Sequence, residues 1–528
     1  MSANVPGSGN NQTWGQGRAQ LRLAAWWLGA LGLLCPALAA AQGQGDADLL
    51  TALQQRQALC PADDLRGRLA LARWADDNDL WEQADQIYRQ ILTIRPQHDE
   101  AHAALLAHAE ARPLPTESQA YTSARDLLPD QFAEHETRRF VVLSDARTNA
   151  ARNQAERLER TWHQFHRFAR RIGLKPLPLR HRLVCILFAS RDDYQLFGRT
   201  HDEVTDPWIA GYYSPRYDRV VFYDIESNPS LTRARIKLRQ MRARMDRLGN
   251  DLDRAEQFGR DEQATSLRHS LIRYQRHLAS EQQRVDEFAS SADIATTIHE
   301  ATHQLMFHTG VQSPQLQYPI WICEGLATSF ETDSPDEAFG PDHEYAPRRR
   351  PFQQVLADDA LIELPRLVTI TDLTGSRDEQ VKTVYHQSYA LVTWMSRFRR
   401  TELRNYLVLM LKEPPGRPEP QRHLELFEEA FGDVRILQRA WLRHELSLQP
   451  EVSAGPITRR LAAGERPLDQ WYTSQMTREP AGLLALLAGE AYGAGTVSVS
   501  SAAIGGSEPA GAGEDDCGPR LFSGLSWE

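Results

Sequence analysis

Cysteine is scarce and scattered in this chain. Five occur in 528 residues, Cys35, Cys60, Cys185, Cys323 and Cys517, and no two form a C-x-x-C pair. That spacing excludes a disulfide scaffold and a cysteine-ligated zinc site. One bridge remains open in an oxidising compartment, between partners that spacing does not choose. Positive charge in excess is missing too: Lys and Arg number 60 against 70 Asp and Glu, a net charge of -10. Without a broad cationic field to hold phosphate backbones, nucleic acid is not expected as a partner. Local basic runs such as Arg348 to Arg350 read as solvated faces.

What is present is an ordinary globular composition, 41% hydrophobic and 25% charged, over a length that implies roughly three units of about 100 to 200 residues. Near the start, Arg18 and Arg22 precede "LAAWWLGALGLLCPALAAA". Ala37, Ala39 and Ala41 then offer an A-x-A-like cleavage site, so residues 1–41 read as an export signal. Left uncleaved, an apolar run of this length would serve as a membrane anchor. The expected location is periplasmic or extracellular.

Residues 42–130 read as Ala/Leu-rich helices. Trp74, Leu80, Ala84, Tyr88 and Pro96 are spaced as in a tetratricopeptide unit. One such unit cannot bury its own face, so a brace or prodomain is expected rather than a solenoid. Residues 131–229 change character: "RRFVVLSD" and "HRLVCILFAS" read as strands around a helix from about Ala150 to Ile172, and "AGYYSPRYDRVVFYD" as a hairpin turning at Ser214 to Asp218. A mixed sheet with a packed helix follows.

Over 230–288, Leu238, Met241, Met245, Leu248, Leu252 and Ala255, then Ala264, Leu267, Leu271, Tyr274 and Leu278, step by three and four. This heptad pattern predicts an inserted hairpin of antiparallel helices, with an intermolecular coiled coil as the alternative. Residues 289–448 read as predominantly helical, and 449–528 as a low-complexity, largely disordered Gly/Ala/Ser tail. The fold class is α+β.

The chemistry centres on "IHEATHQL", Ile298 to Leu305. Four residues turn a helix through about 400°, so His299 and His303 share a face and can reach one metal ion. Glu300 points about 100° away, beside the metal, placed to take a proton from water. A third histidine at the spacing of the metzincins is absent, since Met306 and Thr309 stand where Gly and His would be. Twenty residues after His303, however, "YPIWICEGLATSFE" presents Glu324 in a short helical segment. His299, His303 and Glu324 then fill three corners of a tetrahedral Zn2+ site and leave one open, the catalytic arrangement.

"HEATH" followed by "WICEGLA" resembles the gluzincin metallopeptidases, whose signature is H-E-x-x-H and then a Glu on the next helix, commonly within W-x-x-E-G-x-A. "TVYHQSYALVTWM" resembles the tyrosine segment of the aminopeptidase N branch at Thr383, Val384 and Tyr385. The resemblance covers about 289–448 and is nearest to secreted bacterial peptidase-MA-like proteins. It implies a zincin-like catalytic domain, with Tyr385 donating to the oxyanion of a tetrahedral intermediate. The G-x-M-E-N motif that holds a free substrate amine is absent, with "IAGYYSPRYDRVVFY" in the expected strand region, so cleavage within a chain is expected. Cys323 stands where Asn usually precedes the ligand glutamate.

Further candidates surround these. Glu331 and Thr328 are spaced to orient a ligand histidine. His386 and Tyr389 flank Tyr385, with Tyr389 as an alternative donor. Tyr212 and Tyr213 on an edge strand would line a cleft where an extended peptide pairs with backbone. The expected activity is zinc-dependent hydrolysis of a peptide or protein substrate. The N-terminal helices or the hairpin would engage a protein partner. Two other readings stand beside it: a secreted binding or scaffold protein with a silent zincin fold, and a peptidase whose N-terminal helices cover its cleft.

Overall fold

The computed structural model describes residues 47–61, 63–206, 209–448 and 454–464. The leader read over 1–41 lies outside them, as does nearly all of the tail read over 449–528. The chain divides into two compact units at His108.

The first unit holds helices α1 (47–58), α2 (Leu65–Asp77) and α3 (Trp81–Ile94), and α4 (Asp99–Ala111) begins in it and ends three residues past the division. Asp64 starts α2 by accepting from the backbone N–H groups of Arg66 and Gly67, a conventional N-cap. Small Ala72, Ala75 and Ala84 are buried with Ile87 and Tyr88. The Tyr88 hydroxyl is not left unmade, since it donates to Asp76 at 2.7 Å.

The second unit is built on a five-stranded mixed sheet, β1 (Ala133–Glu136), β2 (Phe140–Ser144), β3 (Leu183–Phe188), β4 (Gly211–Ser214) and β5 (Arg219–Tyr223), in the order β1-β2-β3-β5-β4. The three central strands are parallel, and β1 and β4 pair antiparallel at the edges. Every residue of β2, β3 and β5 is buried, as expected where both faces are covered. Period-2 alternation divides them. Phe140, Val142, Leu183, Cys185, Val220 and Phe222 join the main core with α6 (Thr148–Arg171), while Val141, Val184, Ile186 and Val221 face α5 (Gln119–Leu127) and α7 (Arg191–His201). Thus α5, inside the helical stretch read over 42–130, packs on the sheet. The α+β class holds.

After β5, Asn228 caps α8 (Pro229–Gln257), which pairs with α9 (Asp261–His308). Leu238, Met241 and Leu278 form one apolar seam and Leu252, Ala255 and Ala264 another. The second arm does not stop near 288. No Gly or Pro occurs between Asp261 and His308, so nothing breaks the hydrogen-bond ladder, and one 48-residue helix carries the arm straight into "HEATH".

Beyond it lie α10 (Ile320–Phe330), α11 (Ala346–Ala357), α12 (Leu364–Leu367), α13 (Asp378–Phe398), α14 (Arg400–Met410), α15 (Pro420–Phe431), α16 (Val434–Leu448) and α17 (Pro456–Ala463). α10 packs on α13 through Gly325, where an added Cβ would lie 2.6 Å from Val392 and 2.8 Å from the Ser388 carbonyl. Only glycine permits that approach. Cys60, Cys185 and Cys323 are free thiols. Among the described residues, no helix is long and apolar enough to cross a membrane.

Candidate metal centre

The last turns of α9 are held against the sheet by burial. Ile298, Ala301 and Leu305 are fully covered, and Gln304 donates from its amide to the Val184 carbonyl at 3.3 Å. This fixes the helix rotation and turns His299 and His303 toward α10. Glu324 meets them there, and all three side chains are at most 2% exposed. The two Nε2 atoms are 3.2 Å apart. Glu324 oxygens lie 3.3 Å from His299 Nε2 and 3.6 Å from His303 Nε2.

Those separations can be compared with what an ion requires. For ligand bonds of about 2.0 to 2.1 Å in a tetrahedron, neighbouring donor atoms sit about 3.3 Å apart. The separations here, 3.2 to 3.6 Å with a different Glu324 oxygen toward each histidine, are close to that size. Neither Glu324 oxygen has a hydrogen-bond partner of good geometry although the residue is buried, a state that is costly for a carboxylate unless something else satisfies it. The donor set and spacing fit a metal ion, and His299, His303 and Glu324 form a group able to hold one.

Charge is distributed to match. Burial works against a carboxylate at Glu324, but His303 and His299 outweigh it and hold its pKa down to about 2. Burial also opposes charge on His299, yet Glu324 and Glu331 on its two nitrogens, with Glu300 nearby, lift its pKa to about 10. Burial dominates at His303 and lowers it. These opposite shifts make His299 the more basic of the two imidazoles. A bound ion would require both imidazoles to be neutral.

Glu331 follows α10 and accepts from His299 Nδ1 at 2.9 Å. Its carboxylate is clamped in turn by Arg348, Nε to Oε2 at 2.6 Å and a terminal nitrogen to Oε1 at 2.7 Å. This buried carboxylate fixes the tautomer that points His299 Nε2 at the centre. Arg348 corrects the reading of Arg348 to Arg350 as a solvated run. Arg348 and Arg349 are each 6% exposed, and Arg349 pairs with Glu344 and Glu445. Only Arg350 faces solvent. A run of like charges looks solvated until its partners, distant in sequence, are brought to it.

Glu300 is fully buried, and its Oε2 accepts from the Tyr213 backbone N–H at 3.0 Å. The edge strand β4 therefore holds this carboxylate directly. The side chains of Tyr212 and Tyr213 do not line a cleft as expected. Both are buried, donating to Asp202 at 2.7 Å and Asp218 at 3.1 Å, because each face of this short strand is covered. Thr328 likewise does not orient a histidine, since its hydroxyl donates to the Glu324 carbonyl.

Tyr385 sits on α13, buried, within electrostatic reach of Arg348. Tyr389 is engaged elsewhere: its hydroxyl accepts from the Tyr345 backbone N–H at 2.9 Å. His386 is kept neutral, chiefly by burial and then by Arg348, with its pKa down to about 3.

Residues 293–415, which contain His299, Glu300, His303, Glu324, Glu331 and Tyr385 but not the edge-strand tyrosines, match the family model described as "Protein of unknown function (DUF1570)". No match is found among the curated proteins, and none among the solved structures.

Proposed function

We infer that this chain is a zinc-dependent peptidase of the gluzincin type, acting within peptide or protein chains. The observation that carries the reading is the buried cluster of His299, His303 and Glu324, with donor atoms 3.2 to 3.6 Å apart and Glu300 within electrostatic reach of His299. A zinc ion held by these three residues supplies Lewis acidity to a water and to the scissile carbonyl. Glu300 accepts the proton of the attacking water and passes it to the leaving amine. Tyr385 donates to the developing oxyanion, a role taken from the family resemblance. Glu331 and Arg348 keep His299 aligned throughout. The leader supports export to the periplasm or beyond, and the zincin-like architecture and the tetratricopeptide-like character of the N-terminal helices belong to the same proposal.

The test is Glu300→Gln. The variant should keep its zinc and lose at least about 100-fold in turnover of a defined peptide mixture; unchanged hydrolysis would eliminate the base assignment. One observation favours a second reading. His299, Glu300, His303 and Glu324 are each at most 1% exposed, as in a protein that keeps the ion for structure and binds rather than cuts. On the peptidase reading, these buried groups must become accessible to substrate. Stoichiometric zinc with no cleavage across a broad peptide library would favour the binding protein.

A further inference from the structure

A second cluster of metal-ligating side chains lies where α9 ends, just past the first. His308 is the last residue of that helix, Asp218 sits in the turn between β4 and β5, and His181 precedes β3. A ring nitrogen of each histidine and a carboxylate oxygen of Asp218 all lie within 4.8 Å of one another. All three residues are half-buried.

The local bonding prepares these atoms as ligands. His181 Nδ1 is 2.9 Å from the Arg182 carbonyl oxygen. A carbonyl only accepts, so the proton is on Nδ1 and Nε2 carries the lone pair. His308 Nε2 is 2.6 Å from Asp218 Oδ1, and the two imidazoles meet edge-on with centroids 5.5 Å apart. Tyr213 donates its hydroxyl to the same Asp218 oxygen at 3.1 Å, the kind of outer partner that orients a ligating carboxylate. Asp218 itself is held at φ 52°, a left-handed conformation. Bringing in an ion requires the His308–Asp218 contact to open by less than about 1 Å.

We propose that His181, Asp218 and His308 form a second site for a first-row divalent transition metal, separate from the buried centre and open to solvent. Two imidazoles and one carboxylate select zinc, cobalt, nickel or copper over magnesium and calcium, which want oxygen. Half exposure leaves room for water in the remaining positions. The site staples the end of α9 to the β4–β5 turn. It also touches the buried centre through one residue, because Tyr213 gives its hydroxyl to Asp218 and its backbone N–H to Glu300. Occupancy therefore bears on how firmly β4 holds Glu300.

The experiment titrates zinc alone into the full chain at neutral pH, with a chromophoric chelator as competitor. The parent is expected to show a second, weaker class of site. His181→Ala and Asp218→Asn should each lose that class and keep the tighter one; Asn tolerates the left-handed backbone, and metal-free melting curves matching the parent confirm folding. A His299→Ala/His303→Ala chain should retain the weaker class, so the result stands apart from the peptidase reading. Absence of the weaker class from the parent, or its survival unchanged in both His181→Ala and Asp218→Asn, overturns the proposal.

Discussion

Replacing Glu331 by Gln separates two things that this side chain does. The carboxylate fixes His299 at 2.9 Å and neutralises Arg348 through two hydrogen bonds. Glutamine keeps the shape and an accepting oxygen but not the charge. Loss of an outer carboxylate partner lowers metal affinity by about 10- to 100-fold, or about 1.4 to 2.7 kcal/mol. Stability suffers for a different reason. Arg348, 6% exposed, is left as an uncompensated buried cation, which costs about 3 to 5 kcal/mol. Adding Arg348→Met removes that cation. The double variant should therefore recover most of the stability while its metal affinity stays low. Urea unfolding in excess chelator reads stability without the contribution of bound metal, and chelator competition reads affinity. Parent-like affinity in the double variant, or equal stability of the single and double variants, would refute the division of roles.

Two other predictions follow from single residues. Tyr385→Phe should lower kcat by about 100- to 1,000-fold with zinc content and KM nearly unchanged; a purely structural tyrosine would change stability and leave kcat near the parent value. His423, on α15, is fully buried with neither ring nitrogen hydrogen-bonded, and burial lowers its pKa to about 4. The unfolded chain then binds the extra proton first, so stability is lost as pH falls from about 6.5 toward 4, by about 2 kcal/mol at pH 5. His423→Leu should flatten the pH dependence of the unfolding midpoint between pH 7 and 5, and an unchanged slope would rule this histidine out as the cause.

The cluster of His299, His303 and Glu324 was legible because its geometry is local. A four-residue step on a helix places His299 and His303 together whatever surrounds them, and Glu324 needs only a second helix to fold back. The central strands were legible for the same reason, since continuous apolar runs mark strands covered on both faces. β1 was not: "AEHE" has no apolar alternation, and its place is set by pairing with β2. The uninterrupted course of α9 was obscured where its surroundings change from solvent to core. Arg348 was hidden because its partner Glu331 is 17 residues away and joined to it only by the fold. The bond from Tyr213 to Glu300 spans 87 residues and uses a backbone N–H, which no side-chain pattern announces. Asp218, His181 and His308 are likewise brought together from three separate elements.

The most direct test of the central claim is anomalous diffraction at the zinc edge from crystals of the full chain grown with zinc. The account predicts a peak about 2.0 to 2.2 Å from His299 Nε2, His303 Nε2 and a Glu324 oxygen. No peak among these three side chains, with the residues bonded only to one another, would contradict it.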